Sequence, residues 1–154
     1  MRVALTGAPG TGKTTLAALL TSRFQVLAVR DLAEACGALG PLEEDGARAV
    51  DVDLLLDHVQ GLPSEVLIEG HLSHYLNPDA VVVLRCAPQT LRRRLEGRGY
   101  TPDKVRANVE WELLGGVHAE IQDADLDVPV LELDTSTVDV DVMAASLLAW
   151  CSEG

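Results

Sequence analysis

The residues best suited to chemistry come early. Residues 7–14, Gly-Ala-Pro-Gly-Thr-Gly-Lys-Thr, spell G-x-x-x-x-G-K-[ST] directly after the apolar run RVALT (2–6). Glycines at this spacing let successive backbone N–H groups turn inward without Cβ clashes, making a cradle for an oxyanion. A helix that starts just after the cradle points its positive end at the same anion. Lys13 then reaches the β- and γ-phosphates of a nucleoside triphosphate, and the Thr14 hydroxyl ligates Mg²⁺. A glycine-rich turn with a chance lysine is the bland alternative, and the strand–loop–helix context argues against it.

A second candidate lies in VLIEGHLSH (66–74), where Glu69 ends an apolar run. Proteins with such a phosphate-binding loop hold Mg²⁺ there through a carboxylate or its bound waters. A carboxylate that simply emerges at a strand end is the other reading. His71 and His74 add nitrogen ligands nearby, but three scattered ligands without a fourth do not make a zinc site. A polar or water-orienting histidine is the better reading of the pair.

The third candidate is LRRRLEGRGYTPDKVRANVEWE (91–112). Leu91 and Leu95 share a helix face that docks on the core and leaves the arginines outward. Arg94 and Arg98, four apart, repel unless an anion sits between them, and guanidinium binds phosphate bidentately. Arg92 and Arg93 read as a solvated face. Thr101 caps a new helix with Pro102 in its first turn. The stretch therefore reads helix, short flexible lid, helix.

These groups need a frame. Strands are expected at 2–6, 26–29, 66–70, 80–86 and 128–134; the continuous apolar runs suit parallel strands buried on both faces. Helical spacing follows the glycines in LAALLTSRF and recurs at 49–59, 88–98, 102–124 and 139–151. Residues 37–46 (GALGPLEEDG) read as a loop. Alternating strands and helices predict an α/β, three-layer fold around a parallel sheet, as one domain over residues 1–154.

Charge and composition exclude several classes. Twenty-four acids face twelve bases, a net charge of -12, and the only lysines are Lys13 and Lys104. Such a surface repels bulk nucleic acid, so no general nucleic-acid binding is expected. The acidity reads either as ordinary solubility or as adaptation to a salt-rich cytoplasm, where screening makes it tolerable. No apolar run approaches the roughly 18 residues of a membrane span, and the N-terminal run is too short for a signal peptide. Cys36, Cys86 and Cys151 are scattered, with no CxxC pair, which predicts a reduced cytoplasmic chain.

Together these residues resemble an archaeal-type adenylate kinase, a nucleoside-monophosphate kinase related to eukaryotic adenylate kinase isoenzyme 6. The loop GAPGTGKTT (7–15), IEGH (68–71), VLRC (83–86), RGY (98–100), NVEWE (108–112) and ELDTS (132–136) carry the likeness. It runs from Met1 to about Cys151. The resemblance implies a P-loop fold with a five-stranded parallel sheet, a monophosphate-binding segment over about 30–53 and a short lid over about 97–107. It implies that Gly10, Thr11, Gly12, Lys13, Thr14 and Thr15 line the ATP phosphates and that Arg98 contacts ATP from the lid. It makes Lys13, Arg98, Glu69 and His71 the catalytic set, with His71 linked to ATP hydrolysis. Mg²⁺ is the cofactor, held by Thr14 and by Glu69 directly or through water.

The implied reaction moves the γ-phosphoryl group of ATP to AMP, giving two ADP, with some ATPase activity. Kinship also implies a small-subunit ribosomal protein as partner, so an ATPase that serves ribosome assembly is the alternative; a kinase for another small acceptor is a third. Two features depart from the pattern. Gly115-Gly116 interrupts a helix whose apolar stripe runs Val105, Val109, Leu113 and Val117, so a kink or break is expected there. The monophosphate segment is poor in bases apart from Arg30 and Arg48, and Asp31 and Asp53 read equally as site residues or caps.

Overall fold

The computed structural model describes residues 1–42 and 48–153. In chain order the elements are β1 (Arg2–Gly7), α1 (Lys13–Ala17), β2 (Gln25–Ala28), α2 (Val29–Ala35), β3 (Leu39–Leu42), β4 (Arg48–Val50) and α3 (Val52–Val59). They continue with β5 (Val66–Glu69), β6 (Ala80–Arg85), α4 (Pro88–Gly97), α5 (Pro102–Leu113), α6 (Gly116–Asp123), β7 (Val130–Asp134) and α7 (Val140–Glu153).

Five strands form one parallel sheet in the order β2-β5-β1-β6-β7. Side chains alternate across it, because strand residues point to opposite faces in turn. Val3, Leu5, Leu67, Val82 and Leu84 pack with Leu16 and Leu20 of the α1 segment and with Met143 and Leu147 of α7. On the opposite face, Ala4, Val81 and Val83 meet Val117 and Ile121 of α6, while Val66 and Ile68 meet α2 and α3. Covering both faces makes three layers, and it explains why the central strands read as unbroken apolar runs.

The chain leaves β1, moves outward to β2 and β5 on one side, then crosses to β6 and β7 on the other. The carboxyl end of β1 is therefore the point where strand order reverses, the place where open α/β sheets leave a crevice. Because β1 and β5 are parallel and in register (Leu5 beside Glu69), the loop after Gly7 and the Glu69 carboxylate share one edge of the sheet.

Several elements differ from the periodic reading. Helical spacing after the glycines extends through Phe24, yet α1 stops at Ala17 and turns follow. Leu20 and Phe24, spaced four apart as for a continued helix face, are both still buried in the core. Val29 begins α2 instead of ending a strand. The expected 37–46 loop contains β3, which pairs antiparallel with β4, so the helix expected from 49 starts only at Val52; residues 43–47 lie outside the described residues. The helix of 102–124 breaks as expected: Leu114 ends it and Gly115 takes φ 69°, a left-handed turn that suits glycine. The apolar stripe, however, is interrupted, since Leu113 is 63 % exposed and the buried neighbour is Glu112.

Candidate active site

The loop between β1 and α1 is shaped by contacts to both sides. Gly10 has φ 84° and lies against α4, where a Cβ would meet Leu95 at 3.0 Å and Leu91 at 3.1 Å. Only glycine meets both demands. The Thr11 hydroxyl donates to Ala8 O at 2.7 Å and is fully buried, so Thr11 shapes the loop from beneath. Gly12 (φ 101°) precedes Lys13 at the start of α1, and the Thr14 and Thr15 side chains remain exposed. A cleft of about 580 Å³ opens beside them, lined in part by Gly10, Gly12, Thr15, Arg98, Thr135 and Met143.

Lys13 Nζ donates to Gly7 O and Ala8 O, each at 2.9 Å. Burial pushes its pKa down to about 8, against the attraction of Glu69, and the Arg98 charge adds to the fall. An anion entering the cradle relieves both effects. It supplies the countercharge that the lysine lacks, in exchange for two carbonyl contacts.

Thr14 Oγ1 donates to Glu69 Oε1 at 3.3 Å, bringing the first turn of α1 to the end of β5. The loop after Glu69 is tied to β1: Ser73 Oγ donates to Leu5 O (3.1 Å), and Thr6 Oγ1 lies 3.4 Å from His71 O. His71 sits exposed at the rim; desolvation by its surroundings, then the Lys13 charge, hold its pKa below the usual histidine value. His74 does not join it. Its ring is fully buried, with Nδ1 2.9 Å from Thr6 Oγ1 and Nε2 3.0 Å from Glu120 Oε1 on α6, and burial lowers its pKa. His71 and His74 thus take different surroundings, the one at the rim and the other in the interior. Among the described residues no group of three or more His, Cys, Asp or Glu is arranged to hold a metal. Thr14 and Glu69 nevertheless offer the hard oxygen donors that suit Mg²⁺ keeping several waters.

Arg94 and Arg98 also separate. Arg98 caps the end of α4 and is exposed, with its charge felt at Lys13. Arg94, expected beside it on the phosphates, instead donates to Gly10 O (3.2 Å), Thr135 Oγ1 (3.2 Å) and Thr135 O (3.1 Å). Leu91 and Leu95 dock on the core as expected, and Thr101 Oγ1 accepts from Lys104 N at 3.3 Å to cap α5. Arg92 and Arg93 face solvent.

Periodic reading missed Glu112 entirely. Its carboxylate, nearly closed off from solvent, accepts from Arg85 Nε (2.8 Å) and Cys86 N (3.0 Å), anchoring the base of α5 at the end of β6. The only signal was an acid where the apolar stripe should continue. Within residues 30–53, the segment expected to bind the monophosphate, the cap of α3 is Asp51, whose Oδ1 accepts from Leu54 N at 3.1 Å. Asp31 and Asp53 lie exposed in the first turns of α2 and α3. Arg48 is turned to Gly40 O at 2.8 Å.

Likeness to known proteins follows the same residues. The AAA domain family matches residues 3–115. A Halobacterium salinarum protein named "Putative adenylate kinase" is 42 % identical over 97 % of this chain and 89 % of its own length. An Archaeoglobus fulgidus protein of the same name is 40 % identical over 92 % of this chain and 76 % of its own. Among solved structures, deoxyadenosine kinase from M. mycoides with bound dATP superposes with a TM-score of 0.61 at 16 % identity, covering 99 % of this chain and all of that one, a likeness of fold. A protein from Eubacterium ventriosum superposes at 0.63 with 13 % identity, covering all of this chain and 99 % of its own. On the strength of a match that covers 97 % of the chain at 42 % identity, the chain belongs to the archaeal family of P-loop nucleotide kinases whose members carry the name "Putative adenylate kinase".

Proposed function

We propose that the protein transfers the γ-phosphoryl group of ATP to AMP with Mg²⁺, giving two ADP, and that water replaces AMP slowly when the acceptor is absent. One observation carries this reading: Lys13 follows Gly12 in the cradle, Thr14 next to it meets Glu69 at 3.3 Å, and Arg98 lines the same cleft as Gly10, Gly12 and Thr15. In the transfer, an AMP phosphate oxygen forms a bond to the γ-phosphorus as the bond to the β–γ bridging oxygen breaks. Such a reaction needs positioning and charge neutralisation more than a covalent nucleophile. No catalytic triad is called for.

The loop N–H groups and Lys13 hold the β- and γ-phosphates. Thr14 and Glu69 would hold Mg²⁺, which would supply neutralisation of phosphate charge. Arg98 closes over the phosphates from the lid, and lid closure excludes water so that AMP competes successfully for the γ-group. The names borne by the archaeal relatives support adenylate as the acceptor. His71, on the loop following Glu69, orients the water in the slow hydrolytic reaction.

A coupled assay with ATP and each nucleoside monophosphate in turn tests the proposal. AMP is expected to stimulate turnover most. Hydrolysis indifferent to every monophosphate would overturn the kinase reading and leave an ATPase, the activity an assembly factor would use.

A further inference from the structure

Arg94, on α4, is half-buried and spent on protein groups. It reaches both walls of the cleft at once: Gly10 O at 3.2 Å and Thr11 O at 3.5 Å on one side, Thr135 Oγ1 at 3.2 Å and Thr135 O at 3.1 Å on the other. Its Nη1 also lies 3.5 Å from Cys86 Sγ. Thr135 is itself buried and fastened, since its N–H (2.8 Å) and hydroxyl (3.1 Å) both donate to Arg85 O. The two walls come from segments more than a hundred residues apart, and the described hydrogen bonds join them through this guanidinium.

The consequence for the cradle follows from peptide geometry. In a trans peptide the C=O of one residue and the N–H of the next point in opposite directions. Arg94 lies 3.2 Å from Gly10 O and 3.5 Å from Thr11 O, so it holds the two peptide planes whose N–H groups belong to Thr11 and Gly12. The Thr11 N–H is turned inside the loop to Ala8 O at 3.3 Å. Nη1 lies between the two walls and Nη2 adds Thr135 O, so the planar fork holds one contact more, in fixed directions, than an ammonium in the Nη1 position would.

We infer that Arg94 is a positioning residue: it orients the phosphate loop and welds it to the Thr135 segment, and it does not bind phosphate. The inference rests on the nucleotide-binding reading of the loop. It separates the roles of two arginines four residues apart, Arg98 for the nucleotide and Arg94 for the protein.

A double-mutant cycle on ATP affinity, measured by calorimetry with Arg94→Ala, Thr135→Val and the pair, tests it. Arg94→Ala is expected to weaken ATP binding by about tenfold, the affinity equivalent of one charge-assisted hydrogen bond. In the Thr135→Val background the same change should cost about threefold or less, because part of what Arg94 holds is already gone. Arg94→Lys should bind ATP no better than Arg94→Ala. Additive losses, or rescue by lysine, would mean that the charge acts on the phosphates directly and would overturn the inference. If Arg94→Ala does not fold, Thr135→Val against Thr135→Ser decides: serine keeps the hydroxyl and should keep ATP affinity, whereas equal affinity of the Val and wild-type proteins counts against it. Wild-type protein that binds no ATP would instead overturn the function itself, and this inference with it.

Discussion

The Thr14 hydroxyl donates to the Glu69 carboxylate across 3.3 Å, although 55 residues separate them in the chain. Parallel pairing of β1 with β5 creates that meeting, by setting Leu5 beside Glu69 and letting the loop fold back over the strand ends. Glu69→Gln keeps the shape and removes the charge. It should raise the Mg²⁺ concentration needed for half-maximal turnover by about tenfold or more, with thermal stability little changed. A magnesium titration of both proteins checks this; an unchanged requirement would take Glu69 out of the metal site.

Lys13 has two carbonyl partners and no close countercharge until an anion arrives. Lys13→Ala removes the cation at the centre of the cradle, so turnover should fall on the order of 10²-fold or more. The fold should survive, because burial disfavours the charged form of this lysine in the folded chain. Turnover near wild type in the folded variant would refute the phosphate-loop assignment.

Arg98 stands between Gly97 and Gly99, the latter with φ 79°, where the backbone can swing while the side chain carries charge. A contact made fully only when the lid closes acts on the transition state more than on ground-state binding. Arg98→Ala should therefore lower kcat by roughly 10²-fold while ATP affinity changes less, and Arg98→Lys should restore only part, since the planar fork is lost. Arg92→Ala, on the solvent side, serves as the control. A damaging Arg92→Ala beside a silent Arg98→Ala would displace the lid from where we put it.

His74 provides a pH signature. Burial lowers its pKa below the usual 6.5, although Glu120 pulls the other way, and Thr6 and Tyr75 complete its surroundings. The unfolded chain then takes up a proton before the folded one does, so stability is complete above about pH 6.5 and is lost as the pH falls below it. Replacing His74 by Gln should flatten that acid limb, at some cost in stability at neutral pH. Chemical denaturation of both proteins between about pH 7 and pH 5 measures the difference in slope; parallel curves would show that His74 contributes nothing to it.

The net charge of -12 sets a further expectation. If the acids are an adaptation to a salt-rich medium, the melting temperature should climb markedly from low to molar KCl, as salt screens their mutual repulsion. A flat response would leave ordinary solubility as the meaning of the acidity.

What could be read from the sequence alone was whatever depends on neighbours in the chain. The glycine spacing of residues 7–14, the cap of Thr101 with Pro102, the doubly covered strands and the break at Gly115 are all set by local backbone preference or by apolar period. Each was visible for that reason. The parallel sheet of an α/β fold followed, because alternating strands and helices leave few other ways to bury both faces.

Tertiary structure alone decided which polar group meets which. Arg94 reaches Thr135 across 41 residues, His74 reaches Glu120 across 46, and Glu112 reaches Arg85 across 27. Periodicity says which face of a helix turns inward, but not what waits there. A run of three arginines looks alike whether it faces phosphate, solvent or a carbonyl, and an acid in an apolar stripe looks like an error until its partner is in place. The sequence thus determined the cradle and its chemistry, since a phosphate loop is built from consecutive residues. The partners around the cradle, with Arg94 fastened to Gly10 and Thr135 and His74 held by Thr6 and Glu120, were set only when distant segments packed, because a buried polar group takes its place from the partner that satisfies it.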